Sequence, residues 1–373
     1  MNKNDKLETL IPMDMLEYEA QSQIYNALNL QFLLKLVILP DCHTGYHLPI
    51  GAVALLEKVI SPSYVGYDIG CGMCCVIAKG IKERDILHTQ NVKDKIFEKI
   101  LKNIPVGVGI ERNRPLQYQQ FKSSIENKDL DKKVNEKLYK QLGTLGAGNH
   151  FIEIGSNKDG DIAIVIHSGS RNIGHSIADY YMKLSNTFDK ELPNGFLDSR
   201  KEYGLAYYDD MCFALDFALK NREIMMEEVL LILGLPTSLM DNMINENHNH
   251  AEFKDTYRVL HRKGATPAEK DVLGVIPGNM KTGTYITRGL GNEQYLSSAS
   301  HGAGRKMSRK KAKNTIQLDT FKKQMQGITA RVDKNVLDEA PDAYKDVSEV
   351  IRMQEGIVVE VIDHITPKIN IKG

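Results

Sequence analysis

The sequence predicts an α+β protein in which largely antiparallel sheets are flanked by helices. Apolar strand-like runs and helical stretches intermingle along the 373 residues without a regular β-α-β rhythm. No low-complexity tract, internal repeat or linker composition interrupts the chain, so we expect a single domain over residues 1–373. Hydrophobic residues (42%) and charged residues (26%) stand at ordinary globular values, which leaves enough apolar side chains for a large core.

Charge and targeting signals narrow the class of protein. The 48 Lys and Arg residues balance 48 Asp and Glu residues, so contact with nucleic acid requires a local basic patch. The N-terminus lacks the long apolar core of a signal peptide, and apolar runs such as 32–39 are too short to cross a bilayer. Five cysteines without the spacing of a secreted framework favour free thiols or a metal site. We therefore expect a soluble cytoplasmic protein with no membrane contact.

The N-terminal region predicts a helix and a strand that lead into a polar loop. An amphipathic helix is expected near 15–28 and a buried strand at 33–39. The next segment, Pro40-Asp-Cys-His-Thr-Gly-Tyr-His-Leu-Pro-Ile-Gly51, is too rich in glycine and proline for a helix. His43 and His47 have the i, i+4 spacing of a helical metal pair, but an intervening glycine and a missing glutamate argue against a zinc-protease helix. The segment is either an active-site loop or a plain turn with surface histidines.

A second glycine-rich loop follows the predicted strand 52–59. Asp68 and Cys71 lie three residues apart in Val65-Gly-Tyr-Asp-Ile-Gly-Cys-Gly-Met73. A carboxylate and a thiolate could together ligate a borderline metal such as Mn²⁺, Zn²⁺ or Fe²⁺. Alternatively, Asp68 caps a backbone N–H in a turn and Cys71 is a small core residue.

A third glycine-rich loop, residues 143–150, follows two predicted helices and enters a strand. Its Asn149 and His150, together with Glu153 in the strand, could reach one cavity. This requires the transition from loop to strand to turn one of the three side chains, because neighbouring residues of a strand face opposite sides.

A buried strand, Asp161-Ile-Ala-Ile-Val-Ile-His167, ends in polar residues. Side chains in such positions commonly project into a site, and the following serines and Arg171 suit an oxyanion. Further predicted helices form a helical insertion at approximately 176–240.

The next polar segments contain histidines and basic turns. His248 and His250 flank Asn249, and either could be a metal ligand or a solvated side chain. The turns at 261–267 and 275–285 combine glycines with basic residues, and they suit a phosphate wrapped by backbone N–H groups.

The segment 297–309 places His301 between a run of small residues and a pair of glycines, ahead of a basic block at 305–313. Glycines allow a close backbone approach to a ligand. We expect a helix from Arg305 onward whose N-terminal N–H groups favour an anion, so that His301 meets a phosphate. The alternative is a glycine-rich turn before a solvated basic helix.

Taken together, these loops suggest metal-assisted phosphoryl chemistry. They supply a mixed Asp, Cys and His ligand set, a histidine in an anion loop and many backbone N–H groups suited to phosphate. A serine nucleophile elbow and a Walker A sequence are both missing from the sequence. Hydrolysis and group transfer remain equally open at this point.

The loops resemble the signature segments of the RtcB family, the GTP-dependent ligases that join RNA 3′-phosphate or 2′,3′-cyclic phosphate ends to 5′-hydroxyl ends. The matching motifs, between Pro40 and Arg309, are PDCHTGYHLPIGAV, GYDIGCGM, LGAGNHFIEI, IHSGSRNIGH, HRKGATPA, VIPGNM and SHGAGRKMSR, with weaker agreement at EAPDAYKD and Lys372-Gly373. The resemblance implies an RtcB-like single catalytic domain whose loops converge on one deep metal cleft.

The resemblance also implies a role for each matching position. His301 would be the nucleophile that takes GMP. Two Mn²⁺ ions would be held by Asp68, Cys71, His150, His167 and His248, with Cys71 bridging them. GTP would contact Asn149, Glu153, Asn279, Thr284, Gly302, Ala303, Gly304, Tyr344 and Lys372. RNA phosphates would contact His43, His47, Arg171, Arg305 and Lys306. His248 is preferred to His250 because the family ligand is followed by asparagine.

The implied reaction has three steps and serves RNA repair or tRNA splicing. His301 attacks the α-phosphate of GTP, the guanylyl group passes to the RNA 3′-phosphate to give RNA-(3′)pp(5′)G, and the 5′-hydroxyl then expels GMP. An archease-type activator is a further expected partner. Two other hypotheses are a metal-dependent RNA-end phosphoesterase without guanylylation and a non-catalytic RNA-binding protein. The last is disfavoured because every expected ligand type is present.

Overall fold

The computed structural model describes residues 3–116, 125, 127–187 and 191–373. Its strands are β1 (Leu7–Thr9), β2 (Leu33–Tyr46), β3 (Leu48–Glu57), β4 (Val59–Ile60), β5 (Gly72–Lys82), β6 (Phe151–Ser156), β7 (Asp161–Ser168), β8 (Leu197–Asp198), β9 (Ile244–Asn247), β10 (Asn249–Phe253), β11 (Arg258–Lys263), β12 (Ala265–Pro267), β13 (Leu273–Pro277), β14 (Thr284–Gly289), β15 (Ser298–Ser300), β16 (Thr329–Ala330) and β17 (Val359–Lys372). Its α-helices are α1 (Tyr18–Leu28), α2 (Pro62–Val65), α3 (Glu83–Ile86), α4 (Gln90–Asn103), α5 (Lys128–Gln141), α6 (Arg171–Ser185), α7 (Glu202–Leu233), α8 (Arg309–Thr315), α9 (Leu318–Gln324) and α10 (Val347–Arg352). Short 3-10 turns cover Lys3–Lys6, Met13–Met15, Thr237–Asn242, Glu293–Tyr295, Lys334–Glu339 and Pro341–Ala343.

Most strands belong to two sheets. The first sheet has the order β1-β2-β3-β11-β10 and the second has the order β13-β14-β17-β6-β7-β5-β9, with β16 added beside β17. Neighbouring strands pair antiparallel, except for β1 with β2 and β16 with β17. The predicted α+β class with largely antiparallel sheets is therefore confirmed. The expected helix near 15–28 and strand at 33–39 are also present as α1 and the first half of β2.

The centre of the second sheet is apolar on both faces. All eight residues of β7 are buried, and the strand is rich in the β-branched side chains that pack well on a pleated surface. One face of the central strands packs against α7 and α4. On the opposite face, side chains of β5, β6 and β7 pack with side chains of β13 and β14, which belong to the same sheet. This double burial keeps the strand ends that carry the site in a rigid frame.

The long helix α7 joins two parts of the core. Phe213 and Phe217 pack with α5 and α6, whereas Met225 and Leu230 pack on the second sheet. The helix ends where Gly234 adopts a left-handed conformation with φ of 70°. Fifteen of its residues are buried, so its stability comes from packing on both ends.

Several strands of the second sheet end at the same edge. The register pairs Phe151 with both His167 and Lys372, and Gly72 with both Ser168 and Asn247. Residues just before or after these ends therefore lie close together in space, although they come from distant parts of the sequence. This edge holds the candidate site.

The prediction of a loop at 40–51 is wrong. β2 continues to Tyr46 and β3 begins at Leu48, so the segment forms a hairpin. The pairing shifts register between Ile38 and His43 and again before Tyr46. These irregularities accommodate the glycine and proline residues that disfavour a regular strand.

The predicted start of a helix at Arg305 is also wrong. α8 begins at Arg309, and the Ser308 side chain accepts a hydrogen bond from the Lys311 N–H. Residues 305–308 are not helical, so the predicted helix N-terminus directly after the His301 loop does not form.

The range for which we predict a helical insertion, 176–240, contains most of α6 and all of α7. Residues 188–190 of that range lie outside the described residues. Among the residues that the structure describes, no helix has the length and apolar character needed to cross a membrane.

The double packing of α7 generates a stability prediction. Phe217→Ala removes a ring that is fully buried, so it should lower the free energy of unfolding by about 3–5 kcal/mol. The matched control on the same helix is Leu231→Ala, whose side chain is 61% exposed and should change stability by less than about 0.5 kcal/mol. Chemical denaturation followed by circular dichroism measures both. Equal effects of the two substitutions would contradict the packing described here.

Candidate active site

A cavity of about 410 Å³ opens at the strand-end edge of the second sheet and is also lined by the first sheet. This volume is typical of pockets for small molecules and nucleotides. The predicted site residues that line it are His43, Asp68, Cys71, Asn149, Glu153, His167, His248, Asn279, His301, Gly302, Ala303, Gly304, Arg305, Tyr344 and Lys372.

A cluster of one thiol, three imidazoles and one carboxylate lies at the floor of the cavity. Cys71 Sγ is 3.1 Å from His167 Nε2 and 3.4 Å from His150 Nε2. His167 Nε2 is 3.4 Å from His248 Nε2, and His150 Nε2 is 3.3 Å from Asp68 Oδ2. The structure therefore brings together all five residues that the family resemblance implies as ligands.

These donors form two overlapping groups. Cys71, His167 and His248 make one, Asp68, Cys71 and His150 make the other, and the donor atoms of each group lie within 4.8 Å of one another. A thiolate, imidazoles and a carboxylate form a mixed set suited to divalent transition metals. Since Cys71 belongs to both groups, the geometry fits two neighbouring cations that share its sulfur.

The second nitrogens of two of these imidazoles fix their orientation. His150 Nδ1 donates to the Leu145 carbonyl at 3.1 Å, and His167 Nδ1 donates to the Asn149 carbonyl at 3.2 Å. A carbonyl only accepts, so the protons lie on Nδ1 and the Nε2 lone pairs face the cluster. Burial, followed by the charges of neighbouring histidines, lowers the pKa of His167 and His248 well below its usual range. Neutral imidazoles are the form that binds metals.

Arg222 of α7 connects the chain segments that bear the cluster. Its guanidinium is fully buried and donates to the Gly70 carbonyl at 3.0 Å and to the Ser168 carbonyl at 2.8 Å. It also donates to Asn245 Oδ1 at 2.7 Å and to Asn247 Oδ1 at 2.8 Å. These acceptors stand next to Cys71, His167 and His248. One planar cation therefore sets the spacing of three ligand-bearing segments.

His301 is held by a buried carboxylate. Its Nδ1 donates to Asp41 Oδ2 at 2.6 Å, and its backbone N–H donates to the same oxygen at 3.1 Å. Burial raises the pKa of Asp41, but the charge of His301 and its hydrogen bond outweigh burial and hold that pKa below its usual value. The His301 ring lies 4.8 Å from the His248 ring between centroids. With Nδ1 engaged, Nε2 remains for chemistry beside the cluster.

Two glycines make this arrangement possible. Gly304 has φ of 72°, and a Cβ added there would lie 2.2 Å from the Asp41 carbonyl oxygen. Gly264 has φ of 62°, and a Cβ there would lie 2.9 Å from Cε1 of His301. Any side chain at either position would push on the Asp41–His301 pair, in addition to the strain of a left-handed backbone.

A second buried carboxylate, that of Glu153, also lines the cavity. Glu153 accepts hydrogen bonds from Thr284 Oγ1 at 2.9 Å and from Asn370 Nδ2 at 3.2 Å. Burial raises the pKa of Glu153 to about 7, although these bonds and Lys372 oppose the rise. Thr284 itself is not among the residues that line the cavity, and its hydroxyl holds one oxygen of Glu153.

Tyr344 and Lys372 meet at another wall, around Glu339. The Tyr344 hydroxyl and Lys372 Nζ both donate to Glu339 Oε2, the latter at 3.0 Å. Arg305 and Arg309 both contact Glu339 Oε1. Arg305 also lies over the Tyr344 ring at 5.1 Å. Part of the basic block is thus neutralised by acidic partners in this chain.

Of the residues predicted to contact RNA phosphates, some line the cavity and others lie outside it. His43 lines the cavity, and burial lowers its pKa to about 4, so it is neutral. His47 is exposed at the hairpin turn, and Lys306 is exposed outside the cavity. Arg171 is turned toward Thr144, to whose hydroxyl it donates at 3.2 Å. The structure thus does not bring Arg171, His47 and Lys306 into the cavity with the rest.

The structure separates the two histidines between which the sequence left a choice. His248 lies in the cluster, whereas His250 is half-buried, with its Nε2 3.3 Å from Arg262 Nη1. Burial, followed by the charge of Arg262, lowers the pKa of His250 to about 3.

Sequence reasoning missed several residues of the site: Asp41, Arg222, Lys263, Glu339 and Asn370. Asp41, Lys263 and Glu339 stand inside quoted motifs, so their place in those motifs was an available signal. Arg222 lies within a helix whose apolar stripe indicates core, and nothing in its surroundings distinguishes it from a surface arginine.

Comparison with known proteins relates the whole chain to one group. The family model described as "tRNA-splicing ligase RtcB" matches residues 23–129 and 116–373. The "RNA-splicing ligase RtcB" of Escherichia coli K12 is 33% identical over 395 residues, covering 96% of this chain and 95% of that protein. The "tRNA-splicing ligase RtcB" of Nanoarchaeum equitans is 29% identical, covering 91% and 88%. That of Thermococcus kodakarensis is also 29% identical, covering 90% and 87%.

The shared thiol generates a metal-binding prediction. Cys71→Ala removes a donor from both groups. Loss of a residue that only orients a metal ligand weakens metal binding by up to about 100-fold, so loss of this donor itself should weaken Mn²⁺ binding by at least about 100-fold. Titration calorimetry and metal analysis after gel filtration measure this. Cys75→Ala, which removes a buried thiol from β5, the strand that follows Cys71, should retain Mn²⁺. Equal retention by Cys71→Ala would contradict the assignment of the cluster.

The raised pKa of Glu153 generates a prediction for stability against pH. As pH rises, Glu153 in the unfolded chain loses its proton near its ordinary pKa of 4.5, whereas the folded protein keeps this proton up to about pH 7. The wild type should therefore lose stability as pH rises from about 4.5 to about 7, by up to about 3 kcal/mol from this group. Glu153→Gln should lack this component. Denaturation of both proteins across the range, with metal removed by chelator, measures the difference; parallel curves would contradict the shift.

Proposed function

The chain belongs to the RtcB family and is an RNA ligase, and on that premise we propose that it joins RNA 3′-phosphate or 2′,3′-cyclic phosphate ends to 5′-hydroxyl ends with GTP. The observation that carries the proposal is the Asp41–His301 pair, which faces the cluster around Cys71 within one cavity. A nucleophile held by a carboxylate and a ligand set for cations are the two parts that nucleotidyl transfer through histidine requires. We propose that the enzyme acts in the cytoplasm, in RNA repair or tRNA splicing.

In the first step, His301 Nε2 attacks the α-phosphorus of GTP. A phosphorus–nitrogen bond forms, the bond to the bridging oxygen of the β-phosphate breaks, and pyrophosphate leaves. The imidazole gains positive charge as this bond forms. Asp41, fixed at Nδ1, stabilises that charge and holds the ring in the productive tautomer.

The ligand set supplies the second part of the chemistry. Two Mn²⁺ ions held by Asp68, Cys71, His150, His167 and His248 would neutralise charge on phosphate oxygens. The chain's own contribution is to orient the donors, through Arg222 and through the carbonyls bonded to His150 and His167.

In the later steps, an oxygen of the RNA 3′-phosphate attacks the guanylyl phosphorus and releases His301. The product is RNA-(3′)pp(5′)G. The 5′-hydroxyl of the second RNA end then attacks the 3′-phosphorus, loses its proton and expels GMP, which seals the strand. A 2′,3′-cyclic phosphate would first be hydrolysed at the same site. The RNA backbone contacts that we propose involve His43, His47, Arg171, Arg305 and Lys306.

The buried carboxylate Glu153 supports GTP as the nucleotide. Guanine presents two adjacent N–H donors on its Watson–Crick edge, whereas adenine presents an acceptor at the corresponding ring nitrogen. Thr284 and Asn370 orient the Glu153 carboxylate, and Asn149 lines the same cavity. We propose that Asn279, Tyr344, Lys372 and the backbone of Gly302, Ala303 and Gly304 complete the nucleotide site.

Protein guanylylation tests the proposal most directly. Incubation with Mn²⁺ and GTP labelled at the α-phosphate should give an acid-labile protein adduct. His301→Ala should abolish the adduct, and Asp41→Asn should slow its formation by about 100-fold or more, because it disturbs the imidazole tautomer. His88→Ala, an exposed histidine that does not line the cavity, serves as the matched control.

A ligation assay on defined RNA ends completes the test, with and without an archease-type activator. Wild-type protein should seal the ends only when GTP is present. Removal of the 3′-phosphate or cyclic phosphate without GTP, with no adduct and no sealed product, would instead identify a metal-dependent phosphoesterase and would overturn the ligase mechanism for this chain.

A further inference from the structure

Four aromatic rings lie in a row at the rim of the cavity. We call His47, Tyr46, Tyr67 and His175 the aromatic ladder. Tyr46 stacks on His47 with ring centroids 4.2 Å apart and planes 15° apart. Tyr67 stacks on His175 at 5.0 Å and 26°. The two pairs meet between Tyr46 and Tyr67, at 6.3 Å and 49°.

The ladder is exposed to solvent. Tyr46 is 49% exposed and Tyr67 is 40% exposed, and His47 and His175 are exposed as well. Aromatic side chains stabilise a fold mainly when they are buried away from water. These rings remain in contact with water, so their contribution to the stability of the fold is small. Exposed apolar surface of this kind marks an interaction site more often than a structural one.

The ladder is continuous with the proposed active site. Tyr46 and Tyr67 line the same cavity as His301, and Tyr67 directly precedes Asp68 of the cluster. The backbone of Tyr46 is fixed, because Lys263 donates to its carbonyl and to that of Ser63. His175 stands on α6, which follows β7 and its His167. The rings are therefore mounted on the same rigid elements that position the cluster.

We propose that the unpaired bases of the nucleotides next to the RNA 3′-phosphate stack on Tyr46 and Tyr67, with His47 and His175 supporting those rings from behind. The inference rests on the proposed function, and it adds a binding surface for bases to the contacts with phosphates. An RNA strand whose terminal phosphate lies at the cluster has to leave the cavity over the rim, where the ladder lies.

The chemistry of the ladder favours nucleobases over a protein partner. Planar rings held in parallel pairs match planar bases, and such stacking accepts any base because each has a π-face. A protein partner would more often require an extended apolar core surrounded by a polar rim.

The test compares ring and base deletions in a double-mutant cycle. The variants are Tyr46→Ala, Tyr67→Ala and their combination, with Tyr46→Phe and Tyr67→Phe as matched variants that keep the ring. Tyr257→Ala, an exposed tyrosine distant from the cavity lining, is the control for loss of a surface ring. The substrates are two 3′-phosphate RNAs, one with normal terminal nucleotides and one abasic at the last two positions.

Loss of stacking should weaken binding by about 5- to 150-fold per base, the range found when stacking side chains are removed. We expect the alanine variants to raise KM for normal RNA by such a factor and the phenylalanine variants to restore it. Abasic RNA should bind the wild type weakly and should lose little more in the double alanine variant, because ring and base act through one contact.

The contrary result is specific. If the alanine variants weaken normal and abasic RNA by the same factor, the ladder does not bind bases and the inference is overturned. Equal thermal unfolding midpoints of variants and wild type exclude misfolding. Anisotropy of labelled RNA without GTP measures the ladder even if no guanylylation occurs, so failure of the ladder and failure of the ligase mechanism give different outcomes.

Discussion

The candidate metal cluster around Cys71 depends on a buried arginine. Arg222 is held within α7, and four acceptors on three separate segments converge on its guanidinium. Removing such a charge from water costs several kcal/mol, and the cost is offset only when every N–H finds a partner with good geometry. A planar fork can reach carbonyls and amide oxygens in different directions, whereas an ammonium could not hold the same set. The buried Arg222 side chain thus determines the spacing of Cys71, His167 and His248.

The two halves of the chemistry come from different sheets. Asp41 belongs to β2 of the first sheet, and Cys71 and His167 belong to strand ends of the second. His248 lies at the junction, between β9 of the second sheet and β10 of the first. Its N–H donates to the Cys71 carbonyl, and its own carbonyl accepts from Ala265. The relative position of His301, the proposed nucleophile, and the proposed ligand set is therefore determined by the seam between two sheets.

Much of this could be predicted from the sequence. The alternation of apolar runs and polar glycine-rich segments predicts the α+β class, whereas residue types alone leave a structural alternative for each loop, and only the family resemblance implies the full ligand set. The hairpin at 40–51 was not predictable in this way, because glycine and proline usually end strands and the register shifts that accommodate them depend on the partner strand. Arg222 was also missed, because a buried charge within a helix is identified by partners that are distant in sequence. The neutralisation of Arg305 and Arg309 by Glu339 is of the same kind.

The hairpin that carries Asp41 constrains how the sequence can change. Cys42, the next residue, packs in an apolar cluster with Leu36 and Leu48, while Asp41 faces His301. Side chains alternate along a strand, so a deletion of one residue upstream would exchange the two, burying a carboxylate in the apolar cluster and placing a thiol against the nucleophile. Lys345, bonded to the carbonyls of Pro40 and Cys42, would hold the shifted backbone equally well. A one-residue deletion in β2 should therefore disturb the site more than a substitution of an outward-facing residue of the same strand would.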